Sequence, residues 1–272
     1  MICAVIGEPG VGKGALMTKF VYDCFVNEGQ DIFDNCCNEI DELNISRRNK
    51  LSYPDKVPIF TDFKVTLPAG YQKEYTTYFT NGFYVGLSNS DLPVLFMPPH
   101  SRIFLTEVQR YYDSRKSSSL PDWVSRFYEM HRHFKYVIYL DLQRYSLLDL
   151  NIRDLAHKFI LIDKPLKLVL DNDGLIKQCI WSCKEFSSVK DVDLYYETKA
   201  ETFTNVEYSF DGNIFDLYDS YSNYDKFIPG ENEDFSYLEH GGKSNGKFDY
   251  YDFSQPTNYR LNKNEKNRII KH

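Results

Sequence analysis

The sequence predicts an α/β fold with a mainly parallel sheet flanked by helices and a small β-rich appendage. Three observations predict it. The chain opens on a short apolar run, Ile2-Cys-Ala-Val-Ile6, that reads as a buried strand. A loop matching G-x-x-x-x-G-K follows at Gly7-Glu8-Pro9-Gly10-Val11-Gly12-Lys13 and leads into a helical pattern. Further apolar strands then alternate with amphipathic stretches, at 103–105, 136–140 and 157–162.

The opening strand, loop and helix define a phosphate cradle. Gly10 and Gly12 let backbone N–H groups curl around phosphates with no Cβ in the way. A helix N-terminus adds unpaired N–H groups and partial positive charge. Lys13 brings an ammonium to the β- and γ-phosphates, so Gly7 through Lys13, with Gly14 and Ala15, are the candidate ATP-binding residues. The helix places Ala15, Leu16, Phe20, Val21, Cys24 and Phe25 on one face, with Gly29 as its expected stop. The residue after the lysine ordinarily carries a hydroxyl for Mg²⁺. Here it is Gly14, a seat that water could fill.

Residues 30–55 read as a polar loop or helix face containing the basic run Ser46-Arg-Arg-Asn-Lys50. Residues 57–60 and 63–67 resemble a strand pair, and 73–92 exposed strands or a long loop. The strand Ile103-Phe-Leu105 ends in Thr106-Glu107. In P-loop NTPases this strand commonly ends in Asp, which holds the Mg²⁺ shell, with a Glu that polarises water. Thr106 occupies the Asp position and Glu107 keeps the second, so Thr106 and Glu107 are the candidate metal positions. Gly14 and Thr106 weaken one magnesium site from both sides, and leave open whether this expected ATPase turns over efficiently.

Trp123, Val124, Phe127, Tyr128 and His131 mark an amphipathic helix. Tyr136 to Leu140 is a strand leading to Asp141-Leu142-Gln143, where Gln143 or Asp141 would lie beside a γ-phosphate, or Asp141 would cap a helix. Leu147 to Ala156 reads as a helix capped by Asp149, and His157 to Ile162 as a strand. Beyond Pro165, Lys167–Leu170 and Leu175–Phe186 form a hairpin about Asn172-Asp-Gly174, and 190–199 reads as a further strand; together these extend the sheet or form a separate appendage. Trp181 reads as core. From Pro229 on, Gly, Asn, Ser and Asp dominate. The expected division is a RecA-like P-loop domain over 1–164, a β-rich extension over 165–228 and a polar, disordered tail over 229–272.

Composition sets limits. Hydrophobic content of 42% suffices for a core, and a net charge of −7 argues against bulk attraction to nucleic acid. The six cysteines lack the paired spacing of a zinc module, and no secretion signal points to a disulfide framework. No stretch approaches the ~18 apolar residues of a membrane helix.

Gly7-x4-Gly12-Lys13, Thr106-Glu107-x-Gln109, His131-Arg132-His133, Asp141-Leu142-Gln143, Ile152-Arg153 and Ile214-Phe-Asp-Leu-Tyr-Asp-Ser220 together resemble the N-terminal ATPase domain of the zonular occludens toxin-like family, over roughly residues 1–220. These are filamentous-phage assembly proteins related to the FtsK/HerA branch of P-loop motors. The resemblance implies ATP and Mg²⁺ as cofactors, homo-oligomerisation, and action on phage coat protein or single-stranded phage DNA. It implies Glu107 as the water activator, Gln143 as the γ-phosphate reader, and Arg132 or Arg153 as a finger across a subunit interface. Family members commonly carry a membrane helix after this domain. Lacking one, this chain is expected in the host cytoplasm, peripheral at the inner membrane through a membrane-anchored assembly partner. A HerA/FtsK-like DNA translocase and a nucleotide-binding scaffold with little hydrolysis are the competing readings.

Overall fold

The computed structural model describes residues 1–48, 50–51, 53–54, 57–63, 65–66, 78–79, 97–110, 114, 122–218, 243–244 and 247–248. The apolar opening forms β1 (Ile2–Ile6), buried along its whole length. Helix α1 (Lys13–Val26) follows the Gly-rich loop. Gly29, expected to end that helix, instead begins α2 (Gly29–Ser46), which carries buried Ile32, Cys36 and Ile40. The polar stretch therefore hides a narrow apolar stripe at helical spacing.

Strand β2 (Ile59–Thr61) pairs in parallel with β4 (Arg102–Leu105) and with β3 (Tyr78–Phe79). Among the described residues, the expected pairing of 57–60 with 63–67 does not form: the chain bends at Asp62-Phe63, and Phe63 is buried on the α1 face of the sheet. Apart from β3, residues 73–92 lie outside the described residues. Helix α3 (Asp122–Glu129) continues as a 3₁₀ turn, Met130–Arg132, into β5 (Val137–Leu142). The Asp149 carboxylate accepts from the N–H groups of Asn151 and Ile152 and caps α4 (Leu150–Leu155), which leads to β6 (Lys158–Ile162).

Strands β3, β2, β4, β5, β1 and β6 lie in that order, all parallel. One strand, β5, separates the P-loop strand β1 from β4, whose end carries Glu107. Side chains of β1 alternate: Ile2, Ala4 and Ile6 pack toward α3 and α4, and Cys3 and Val5 toward α1. Both faces are covered, as a parallel sheet requires. The fold is RecA-like α/β, a mainly parallel sheet with helices on both faces.

The region after Pro165 extends this same sheet. Strand β7 (Lys167–Leu170) and β8 (Ile176–Phe186) form the hairpin expected about Gly174, which has φ 81°. One edge of β8 holds β6 with its second half and β7 with its first, and its other edge holds β9 (Thr204–Asp211), all antiparallel. The strand expected over 190–199 is a helix, α5 (Val189–Thr198). The Ser188 hydroxyl accepts from Asp191 N–H and in turn donates to the Asp191 carboxylate, a cap that overrides the β-like alternation of Val192, Leu194 and Tyr196. The tail expected over 229–272 lies outside the described residues, except for the short antiparallel pair Lys243–Ser244 and Lys247–Phe248.

Candidate functional site

The Gly-rich loop lies where ligands bind in open α/β sheets, at the carboxyl ends of parallel strands. The Gly7 N–H donates to the Leu142 carbonyl (3.2 Å), anchoring the start of the loop to β5. Gly10 and Gly12 have φ of 83° and 94°, which side-chain-bearing residues rarely adopt. Gly12 is the cap residue of α1, and its carbonyl accepts the first helical hydrogen bond from Leu16 (3.0 Å).

The loop is clasped from the antiparallel region. Leu166, in the break between β6 and β7, donates its N–H to the Val11 carbonyl (3.2 Å). Trp181 of β8 donates its indole N–H to the Gly12 carbonyl (3.1 Å). A Cβ on Gly12 would fall 3.0 Å from Leu166 Cβ and 3.2 Å from Trp181 Nε1. Trp181 is core, as expected, and it is also the wall of the loop.

The Lys13 ammonium lies between the Glu8 carbonyl oxygen (3.2 Å) and Asp141 Oδ1 (3.9 Å), and the lysine is only 6% exposed. Asp141, paired with Val5 of β1 in register, does not cap a helix. It is 4% exposed, and its Oδ1 has no hydrogen-bond partner. Burial pushes its pKa up to about 7. The Lys13 charge opposes that shift, and nearby Glu107 and Asp62 add to it.

Glu107 has φ 51°, the left-handed region, just past the end of β4. Strain of this kind persists where the surroundings fix it. Two amides fix this carboxylate: Glu107 Oε2 accepts from Gln109 Nε2 (2.6 Å) and from Gln143 Nε2 (3.2 Å). Glu107 and Gln143, named from sequence, are thus brought into direct contact across two strand ends.

Thr106 is held otherwise. Its N–H donates to both Asp62 carboxylate oxygens (3.0 and 2.9 Å), and its hydroxyl donates to Asp62 Oδ2 (3.1 Å). Sequence reasoning missed Asp62. The signal was there: Pro58-Ile-Phe-Thr-Asp62 is itself an apolar strand ending in Asp. A carboxylate therefore stands beside position 106, carried by the end of β2.

Arg132 lies apart from this group. Arg132 precedes β5, and its guanidinium meets His157 Nε2 (2.8 Å) beside the chain's first residue. That is the amino-terminal edge of the sheet, opposite the loop and separated from it by the length of β1, roughly 16 Å. Within one chain Arg132 is therefore not a nucleotide contact. Arg153 lies over the Tyr145 ring (5.6 Å).

A second missed residue is Tyr218. It follows the 3₁₀ turn Ile214–Asp216, and its hydroxyl presses on Gly14. A Cβ on Gly14 would overlap that hydroxyl and lie 2.8 Å from Tyr218 Cζ. Nothing in the local sequence announces this contact.

Among the described residues, no helix is long and apolar enough to cross a membrane, and no group of three or more His, Cys, Asp or Glu could by itself hold a metal ion. No family model matches the chain, and no curated protein matches it. Similar solved structures include the N-terminal domain of zonular occludens toxin from Neisseria meningitidis, at 20% identity over 80% of this chain and 98% of that one, with a TM-score of 0.42. They also include the genome packaging NTPase of Sulfolobus turreted icosahedral virus 2 in complex with ATP-gammaS, at 11% identity over 75% and 95%, TM-score 0.38. A KaiC-like protein from Pyrococcus horikoshii matches at 11% identity over 80% and 88%, TM-score 0.31. The family named from the sequence motifs is thus represented among them.

Proposed function

We propose that the chain binds ATP with Mg²⁺ in the Gly7–Ala15 loop and works as a P-loop protein of virion assembly. The carrying observation is the Glu107–Gln143 contact at the strand ends beside a clasped loop headed by Lys13. The loop fits phosphates: its glycines leave no Cβ inside it, and its lysine is buried. The surroundings fit a cation better than an apolar ligand, since the buried Asp141 Oδ1 has no hydrogen-bond partner. Backbone N–H groups of residues 10–15 hold the phosphates, and Lys13 exchanges the Glu8 carbonyl and Asp141 for phosphate oxygens. Asp62 supplies the carboxylate that position 106 lacks. Mg²⁺ supplies charge neutralisation at the phosphates. Glu107 orients and deprotonates the attacking water, while the Gln143 amide, already on that carboxylate, registers the γ-phosphate.

The finer reading comes from the sequence resemblance. The chain acts as a homo-oligomer at the host inner membrane, bound to a membrane-anchored partner, and moves coat protein or single-stranded DNA during filamentous virion extrusion. A DNA-translocating HerA/FtsK-like role is the variant of this reading in which DNA stimulates turnover. A scaffold with little hydrolysis is favoured by one observation, the capture of the Thr106 hydroxyl and amide by Asp62. Phosphate release with Mg²⁺, compared between wild type and Lys13→Ala, separates them. Turnover abolished by Lys13→Ala supports the motor; nucleotide binding without turnover supports the scaffold; no binding overturns both.

A further inference from the structure

We infer that the Tyr218 hydroxyl replaces the missing P-loop hydroxyl at position 14 and faces the divalent cation of a bound nucleotide. The inference rests on the nucleotide reading above.

Gly14 is a functional substitution only if the chain gains something by lacking a side chain there. The structure supplies the gain. The space that a Ser or Thr side chain would fill is occupied by the end of the Tyr218 side chain, with Cζ at 2.8 Å and Cε1 at 3.1 Å from a Cβ built on Gly14. Glycine is the residue that admits this approach. Gly14 is the second residue of α1, where helix formation itself gives glycine no advantage over a residue with a side chain.

Tyr218 is delivered to this place by fixed structure. The Asn213 side chain accepts from Phe215 N–H (3.2 Å), and Asp216 and Leu217 N–H close the turn on Asn213 and Ile214 carbonyls (3.1 and 3.0 Å). Ile214 and Leu217 are buried against α1. The Leu217 carbonyl accepts from Thr66 N–H (2.9 Å), and the Tyr218 ring meets Phe63 edge-on at 5.9 Å. Phe63 directly follows Asp62. The carboxylate and the phenol are therefore set by adjacent residues of one bend. Each stands in for a function lost at another position, Asp62 for Thr106 and Tyr218 for Gly14. A phenol oxygen offers a lone pair to a cation or its water, as an aliphatic hydroxyl does, and a proton to a phosphate oxygen.

The test is the Mg²⁺ dependence of binding, read by titrating the full chain with a fluorescent ATP analogue in EDTA and in Mg²⁺, with Mn²⁺ resonance as a direct reading of the cation. Tyr218→Phe keeps the ring and should keep the EDTA affinity. It should lose most of the Mg²⁺-dependent tightening, about tenfold. Gly14→Ser alone should bind poorly, because the new side chain overlaps Tyr218. Gly14→Ser with Tyr218→Ala should regain the Mg²⁺ response. A Tyr218→Phe protein with the wild-type Mg²⁺ response overturns the inference, as does a folded double variant that binds in EDTA but gains nothing from Mg²⁺. Tighter Mg²⁺–nucleotide binding by Tyr218→Ala than by wild type also overturns it, since Tyr218 would then be a plug. Failure of the nucleotide reading looks different: wild type and Lys13→Ala would be alike, and neither would bind in either buffer.

Discussion

The parallel and antiparallel regions of the sheet are built on opposite terms. Strand β1 is buried on both faces, while β9 alternates between exposed and half-buried positions along its length. The parallel strands end in the polar groups of the candidate chemistry: Lys13 after β1, Asp62 after β2, Glu107 after β4, and Asp141 and Gln143 at the end of β5. Among the described residues, the antiparallel region brings no carboxylate or ammonium to the loop. It contributes shape, through Leu166, Trp181 and, beyond β9, the turn bearing Tyr218. The Gly-rich loop and the frame that clasps it thus come from different parts of the chain.

Substitutions can break this division of labour, and the largest effect belongs to the parallel side. Glu107→Gln should lower phosphate release about 10²- to 10⁴-fold while leaving analogue binding intact, as measured by turnover beside direct titration. Lys13→Ala should weaken binding of the same analogue by ~10- to 100-fold, since a charge-assisted contact is lost. Where the antiparallel region clasps the loop, substitutions should cost stability. Gly12→Ala forces a side chain to φ 94° and into Leu166 and Trp181, and should cost more than about 1 kcal/mol in chemical denaturation. Trp181→Phe removes one donor to the Gly12 carbonyl and should cost about 1 kcal/mol, with turnover per folded molecule little changed. A large loss of turnover in Trp181→Phe at full nucleotide occupancy would erase the distinction.

The smallest effect is a pH dependence. Asp141 has a folded pKa of about 7, well above the carboxylate value of 3.8. Its protonated form favours the folded state, so that contribution is complete below the unfolded value and is lost as pH rises from about 4 to 7. Asp141→Asn should flatten the stability profile across that window. In EDTA, with no divalent cation present, incoming phosphates add negative charge beside Asp141 and raise its pKa further, so binding takes up a proton. Affinity should therefore rise as pH falls through about 7 in wild type and less so in Asp141→Asn, measured by titration in buffers of different ionisation enthalpy.

The parallel region was the more legible in sequence, for a physical reason. A strand buried on both faces is a continuous apolar run, and a phosphate loop needs glycines at set places, so β1, its loop, β4, β5 and β6 could be read locally. The placement of Glu107 and Gln143 at strand ends was legible because each follows an apolar run that stops at a polar residue. The α5 region was misread because Val192, Leu194 and Tyr196 alternate like a strand, while the deciding signal was the Ser188–Asp191 cap. Asp62 and Tyr218 depend on juxtaposition across the sheet. The Thr106–Asp62 exchange joins two strands, and the Tyr218–Gly14 contact joins the first helix to the turn after the last strand of the main sheet. No local window contains either pair.

The clasp on the loop has a kinetic consequence. Val11 and Gly12 are already held by Leu166 and Trp181, so ordering of the cradle falls on folding rather than on the encounter with a ligand. Association should then follow a single phase whose rate scales linearly with ligand concentration, without a slower isomerisation that saturates.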